Sequence, residues 1–329
     1  MKAIYIENFG SLEDLQIRDV PDPATPTGTR VLVCVRAAGL NRADLLQVRG
    51  QYPPPPGYSP NMPGLEFAGE IHAVGQDVTN WKAGDRVFGI TAGEAQAEFL
   101  VTDQTLLAKI PGNLSFAEAA AVPEAFITAH DAIFTLGDLK QCESILIHAV
   151  GSGVGLAALQ LAKAKGAFVV GTSRTGDKVG RCKDELGLDI GLVIRDPTSF
   201  ADSVIGWNDG NGVDVILDLV GAAYFQQNLE SLALKGRLIL VGLTSGRTAE
   251  FNLGLALQKR ARIIGTVLRA RPTVEKADAT RRFAEDVVPL LASGKITPNL
   301  DHVFTADTVV EAYKYMESNR SFGKIVLEF

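Results

Sequence analysis

Three cysteines in 329 residues, Cys34, Cys142 and Cys182, are too few and too scattered for a disulfide framework, and no CxxC pair suggests a zinc knuckle. A reducing, cytoplasmic setting is the expectation. No stretch approaches the ~18 consecutive apolar residues of a membrane span, and the opening "MKAIYIENFG" reads as a strand rather than a signal peptide. Positive charge is not in excess. With 32 Lys and Arg against 38 Asp and Glu, the formal net charge is −6, so there is no basic field for nucleic acid or an anionic membrane. The four histidines, His72, His130, His148 and His302, show no paired metal spacing. Internal repeats are absent. The single low-complexity patch is "YPPPPG", residues 52–57, a stiff segment suited to a surface loop or to one wall of a cleft.

What is present divides the chain by rhythm. Up to about residue 120 the pattern is short β-rich runs broken by Gly and Pro: "KAIYI", "RVLVCVRAA", "EFAGEIHAVG", "DRVFGI", "AEFLVT". These imply an antiparallel, barrel-like domain. From about 122 the apolar runs "SILIHA", "AFVVGT", "IGLVI", "VDVILDLV", "RLILVGL" and "ARIIGTV" alternate with helical segments. That alternation implies an α/β doubly wound parallel sheet of the Rossmann type. The tail reads as a helix over "KADATRRFAEDVVPLLASG", a strand near "LDHVF", a helix over "DTVVEAYKYMESN" and a final strand "GKIVLEF". It is too small to stand alone and is expected to pack back on the first domain. The expected division is therefore 1–121 with 266–329, and 122–265.

The segment "SILIHAVGSGVGLAALQLAKAKGAFVVGTSR" lacks a strict GxGxxG, yet it reads as strand, glycine turn, helix and second strand. A dinucleotide pyrophosphate needs glycines for close approach and a helix N-terminus for its charge. Gly153 and Gly155 stand where those needs are greatest, and Ser152 offers a hydroxyl to a phosphate oxygen. About twenty residues on, an NAD site calls for Asp or Glu to hold the ribose 2′-hydroxyl. This chain reads Ser173-Arg174-Thr175-Gly176-Asp177-Lys178 there. Ser173, Arg174 and Lys178 suit a 2′-phosphate and favour NADPH. Asp177 argues the other way, and Arg174 and Lys178 also suit a solvated loop.

"PGLEFAGEIHAVG" followed by "WKAGDRV" resembles the catalytic-domain signature of the medium-chain dehydrogenase/reductase superfamily, and the resemblance covers nearly the whole chain. The resemblance implies a GroES-like catalytic domain beside the Rossmann domain. Zinc-dependent members carry a cysteine after the "AAG" strand and a histidine before the Glu of "PG-x-E"; here those positions read Asn41 and Leu65, and the four-cysteine lobe is absent. Two of the three ligands that a catalytic zinc requires are thereby missing. "GLNRADLLQVRGQYPPPPG", "AVGSGVG" and "YMESNRSFGKIVLE" are most similar to the zinc-independent, zeta-crystallin-like quinone oxidoreductases, and within them to the tumour-suppressor-inducible subgroup, which shares Ser at position 152. Many of the wider family have Tyr where this chain has Ile194, with Arg195 available to compensate.

The resemblance implies a site where the carboxyl ends of the parallel strands face the barrel. Asn41 and Tyr52 would line the nicotinamide and substrate side and donate to the acceptor oxygen. The cofactor would be contacted by Asn41, Thr128, Ser152, Gly153, Val154, Ser173, Arg174, Lys178, Gly221, Gly242, Leu243 and Leu268. Asn41 also reads as the cap of a helix starting "RADLL", and Tyr52 as a cap on the proline loop. The expected function is NADPH-dependent, metal-free reduction of quinones. NADPH-dependent reduction of α,β-unsaturated carbonyls and a non-catalytic NADPH-binding redox sensor are the alternatives. A homodimer formed through the apolar edge strand "ARIIGTV" or its neighbour is expected.

Overall fold

The apolar runs of the second half become one sheet of six strands. In spatial order they are Ile190–Val193, Phe168–Ser173, Ser144–Ile147, Val213–Asp218, Leu232–Leu240 and Arg262–Gly265. Every pairing is parallel. Counted along the chain this is the doubly wound order, and it reverses between Ser144–Ile147 and Val213–Asp218, where open α/β sheets bind ligands beyond their carboxyl ends. Strands buried on both faces need no polar alternation, which is why "SILI" and "VILD" read as near-continuous apolar runs. The helix Gly153–Lys165 buries eight of its residues, from Gly155 to Ala162, and ends at Gly166 with φ 83°, the left-handed conformation that stops a helix without strain. In Gly176–Leu186 the buried pair is Val179 and Cys182, three apart on one face. Burial pushes the Cys182 thiol up to about 12, so it is a packing group rather than a nucleophile.

All 329 residues are described in the computed structural model. They form two units: Met1–Ile127 with Leu268–Phe329, and Thr128–Val267. The sequence reading placed the divisions at 121/122 and 265/266; here the first falls inside the helix Pro123–His130. The discontinuous unit is built on a sheet ordered Leu300–Thr305, Lys324–Glu328, Arg30–Gly39, Glu66–Val74, Arg86–Ile90 and Leu107–Lys109, with Phe99–Asp103 also pairing to Arg30–Gly39. Its pairings are antiparallel except that of Leu300–Thr305 with Lys324–Glu328. The ten-residue strand Arg30–Gly39 shifts register at 32/33 and 35/37 against Glu66–Val74. Such irregularities bend a strand, which lets this one serve several partners. Val31, Val33, Val35, Phe67, Ile71 and Leu100 fill the sheet's core, and Ile4, Leu45, Tyr313 and Leu327 belong to a second cluster.

One expected element differs. The tail helix read over 276–294 is two helices, Thr273–Asp286 and Val288–Ala292. Pro289 has no N–H to donate and its ring crowds the preceding turn, so the chain breaks at Val287 and restarts with Pro in the first turn, where it is tolerated. No helix is long and apolar enough to cross a membrane.

Candidate active site

In the unit Thr128–Val267, the turn after Ser144–Ile147 is tight. Ala149 takes φ 49°, Ser152 N–H donates to the Ala149 carbonyl at 2.9 Å, and Ser152 caps the helix by accepting Gly155 N–H on its hydroxyl at 3.1 Å. The cap uses an oxygen lone pair, so the hydroxyl hydrogen is still there to donate. Gly155 is required by geometry: a Cβ there would lie 2.5 Å from the Ala149 carbonyl oxygen and 2.7 Å from that of Val150. At Gly151 a Cβ would meet the Lys178 side chain at 2.9 Å, so the lysine stem lies across the glycine turn. Gly153 and Val154 open a thirteen-residue helix whose first-turn N–H groups lack partners within the helix. Together these make a cradle that a phosphate fits.

The other residues expected to hold the cofactor in this unit stand at neighbouring strand ends. Ser173 is buried at the end of Phe168–Ser173 and accepts Thr175 N–H at 3.3 Å. Arg174 is exposed beside it. Lys178 and the exposed Asp177 lie in the first turn of Gly176–Leu186, where the helix dipole favours the aspartate whatever the ligand. Gly221 has φ 91°, and a Cβ on it would lie 3.0 Å from Leu243 Cα. A Cβ on Gly242 would lie 2.6 Å from the Leu219 carbonyl oxygen. These two glycines therefore let the loops after Val213–Asp218 and Leu232–Leu240 touch. Leu243 is 50% exposed, an apolar side chain that the core does not claim. Thr128 is half-buried in the helix Pro123–His130. Ile194 turns inward into an apolar cluster with Phe200 and Tyr224, whereas Arg195 is exposed. Tyr224 was not anticipated. Burial raises its hydroxyl above the ordinary value, and the Arg174 charge opposes the rise.

In the discontinuous unit, Asn41 begins the helix Arg42–Val48 as the cap reading requires, and its backbone N–H donates to Asp44 Oδ2 at 2.8 Å. Its side chain is committed elsewhere. Asn41 Nδ2 donates to Glu66 Oε1 at 2.9 Å and to the Gly39 carbonyl at 3.4 Å, and its Oδ1 accepts from Lys324 Nζ at 2.7 Å. Both amide hydrogens thus have acceptors within the unit, the one on Glu66 being the shorter bond. Lys324 places its three protons on Leu40 O, Asn41 Oδ1 and Glu66 Oε1, the last at 2.6 Å. Glu66 is fully buried, and its second oxygen accepts Glu124 N–H at 2.8 Å.

Tyr52 is half-buried, with the Arg269 guanidinium 5.0 Å from its ring centroid. Arg269 also donates to the Tyr52 carbonyl at 3.0 Å, to the Ala92 carbonyl at 2.8 Å and to Gln47 Oε1. The start of the proline loop is thus clamped from its own backbone. Burial raises the Tyr52 hydroxyl above the ordinary value, with Arg269 opposing, so it stays protonated and able to donate at neutral pH. Leu268, expected beside the cofactor, is buried next to Arg269 in sequence.

Three carboxyl groups and three cations share this interior. Burial moves Asp44 from 3.8 to about 6. Glu124 is moved from 4.5 to about 8, first by burial and next by the Glu66 charge, with Lys324 and Arg269 opposing. Lys276 is buried nearby, donating to the Arg269 carbonyl at 3.4 Å. Glu124 lies deep in the unit yet keeps a partly accessible side chain, and it holds a proton at neutral pH. No group of three or more His, Cys, Asp or Glu side chains is arranged to hold a metal ion.

Residues 27–132 match the alcohol dehydrogenase GroES-like domain, and residues 153–285 match the zinc-binding dehydrogenase family. The chain is 31% identical over 331 residues to the quinone oxidoreductase of Pseudomonas aeruginosa, covering 99% of both. It belongs to the medium-chain dehydrogenase/reductase superfamily. It is also 35% identical over 328 residues to erythronolide synthase EryA2 of Saccharopolyspora erythraea; the match takes in 97% of this chain but the chain spans only 8% of that protein's length. Among solved structures, a mycobacterial protein complexed with NADPH is 28% identical, with a TM-score of 0.89 and all of both chains covered. The CurK enoyl reductase is 26% identical, with a TM-score of 0.86 and 99% of this chain and 98% of that chain covered. Membership of the superfamily makes the chain an oxidoreductase with a nicotinamide cofactor.

Sequence reading missed Glu66, Glu124, Arg269 and Lys324. The available signal was a charged residue inside an apolar run, as in "GLEFAG" and "GKIVLEF". A carboxyl whose folded value exceeds its unfolded one stabilises the fold below the unfolded value, and the contribution is lost as pH rises through the folded value. For Glu124 the window runs from 4.5 to about 8. Glu124→Gln, neutral at every pH, is expected to gain in melting temperature relative to the parent between about pH 5 and about pH 9. Parallel curves for the two proteins would remove Glu124 from this role.

Proposed function

We propose that the protein reduces quinones at the expense of NADPH. The observation that carries the cofactor choice is the end of Phe168–Ser173. Ser173 and Arg174 stand there, with the Lys178 stem over the glycine turn, and no carboxylate ends the strand. Bound NADPH supplies a hydride. The chain's part is to orient the acceptor, keep water away and deliver the proton that must accompany the hydride for a quinone to become a hydroquinone. Tyr52 is the hydroxyl suited to donate to the acceptor oxygen, since burial keeps it protonated and the Arg269 clamp holds it in place. Glu124, which retains a proton at neutral pH beside Glu66, is the second proton source, and Asn41 orients Glu66 rather than the acceptor. The full-length likeness to a quinone oxidoreductase supports the acceptor class. The likeness to an enoyl reductase supports a second reading, because a polarised enone asks for the same hydride and the same proton. Three uncrosslinked cysteines fit a cytoplasmic setting.

Purified protein is expected to oxidise NADPH with 1,2-naphthoquinone and not with 2-alkenals, followed by nicotinamide absorbance. The reverse preference would establish the enone reading, and turnover of neither acceptor with tight NADPH binding would leave the redox-sensor reading. Arg174→Ala and Lys178→Ala are each expected to weaken NADPH far more than NADH in binding titrations; equal losses would move the 2′-phosphate site elsewhere. We also propose a homodimer through the sheet edge Arg262–Gly265. Ile263 is 40% exposed on that edge, and Leu253 and Leu257, 73% and 77% exposed, lie one helical turn apart nearby in sequence. Sedimentation at twice the chain mass is the expected result, and a monomer would exclude this contact.

A further inference from the structure

His148 is fully buried, titratable and unused by the chemistry above. It sits between the strand Ser144–Ile147 and the glycine turn, in a wall of aromatic rings, with Tyr224 at 4.8 Å and Phe200 at 5.3 Å, both edge-on. Its Nδ1 lies 2.8 Å from Thr172 Oγ1 and its Nε2 lies 2.6 Å from Asn228 Oδ1. Asn228 Nδ2 donates to Asp218 Oδ2 at 3.0 Å. The other oxygen of Asp218 accepts Val220 N–H at 2.7 Å and Gly221 N–H at 2.9 Å. The Asp218 backbone carbonyl accepts the N–H of Val241 at 2.9 Å and of Gly242 at 3.1 Å. Val150 N–H closes the near end on the Thr172 carbonyl at 2.9 Å.

The consequence is topological. Thr172 precedes Ser173 and Arg174, His148 precedes the turn of Ser152, Gly153 and Val154, and Asp218 precedes Gly221 and holds Gly242. One continuous buried chain of hydrogen bonds therefore ties together four adjacent strand ends, the same four that carry these residues. Its polarity follows from one charge. Burial raises the Asp218 carboxyl above its ordinary value, but its hydrogen-bonding neighbours are N–H groups, which oppose the rise and satisfy the ionised form. Asn228 must then turn its NH2 toward Asp218 and its oxygen toward His148. Nε2 has to carry the hydrogen, which leaves Nδ1 to accept the Thr172 hydroxyl. Burial also pushes the His148 imidazole below its ordinary value, with the Asp218 charge opposing, which favours the neutral ring.

We propose that His148, acting through Asn228 and Asp218, is a positioning residue that fixes four strand ends as one preset surface for the dinucleotide. The inference rests on the reading of those ends as the cofactor site. Binding is tighter when the receiving loops are ordered beforehand, because less freedom is lost on association. A ring that only filled space would be replaceable by an apolar side chain without cost to affinity.

Direct titration of NADPH onto the intact protein, followed by nicotinamide fluorescence, tests this. His148→Leu is expected to weaken NADPH binding by roughly tenfold or more and to raise the KM for NADPH while leaving kcat within about twofold. His148→Gln, which can donate to Asn228 and accept from Thr172, is expected to recover most of the affinity. Should His148→Leu fail to fold, Thr172→Val, which replaces the hydroxyl with a methyl group, is expected to weaken NADPH in the same direction. In the parent protein, 15N spectra of the imidazole are expected to show the neutral tautomer with hydrogen on Nε2. Unchanged affinity in a folded His148→Leu or Thr172→Val, a Gln variant as weak as the Leu variant, or hydrogen on Nδ1 would overturn the proposal. A parent protein that does not bind NADPH would instead overturn the cofactor reading beneath it.

Discussion

An ammonium group taken out of water must find an acceptor for each of its protons, and much of the discontinuous unit is arranged around that demand. Lys324 comes from the last strand of the chain and meets Glu66, Asn41 and the Leu40 carbonyl. Removing one partner would strand a buried charge, which is far more costly than losing an exposed pair. The arrangement fixes its neighbours. Gly39 has no room for a Cβ because Glu66 Oε1 would lie 2.4 Å from it. The Asn41 amide orientation is set by the lysine on one side and the glutamate on the other. Glu66, neutralised by Lys324 on one oxygen, spends the other on the Glu124 backbone and discourages a second carboxylate there. The raised value of Glu124 thus follows first from its own burial and second from the carboxylate that Lys324 holds nearby.

The other unit solves a different problem with similar means. Its sheet directs several strand ends to one side, and the loops that follow would be loose without cross-links. Glycines permit the loops to touch, and a buried polar chain holds them where they are. Buried polar networks of this kind specify a single geometry when every member is satisfied. Each unit therefore holds a buried, hydrogen-bonded polar cluster close in sequence to residues expected to meet ligand.

The features legible in the sequence were those encoded locally. Parallel strands print as unbroken apolar runs, and a strand, a glycine turn and a helix lie within one short segment, so the doubly wound sheet and its cradle could be read. The expectation of a 2′-phosphate there came from the same local reading, since Ser173 is the last residue of its strand and Arg174 comes directly after it. The tail reads as one long helix because its helix-forming residues run on past Pro289, which splits it in the structure. What stayed hidden was partnership at a distance. Nothing in "GLEFAG" announces that Glu66 meets Lys324 near the far end of the chain, and nothing in "SILIHAV" announces that His148 meets partners 24 and 80 residues away. Asn41 shows the limit most clearly: its position suited both a helix cap and a ligand contact, and only the three-dimensional partners showed its amide already engaged.

The strand Lys324–Glu328 lies between Leu300–Thr305 and Arg30–Gly39, so the order of manufacture differs from the order of assembly. A ribosome releases the segment 128–267 as one uninterrupted stretch, which contains all six strands of its sheet. The sheet of the other unit must wait, Arg30–Gly39 lacking one of its partners and Glu66 lacking its counter-ion, until Lys324–Glu328 emerges. Nascent chains in that interval carry an unpaired β edge and an uncompensated carboxylate, the state in which a chaperone or a wrong strand has its opportunity.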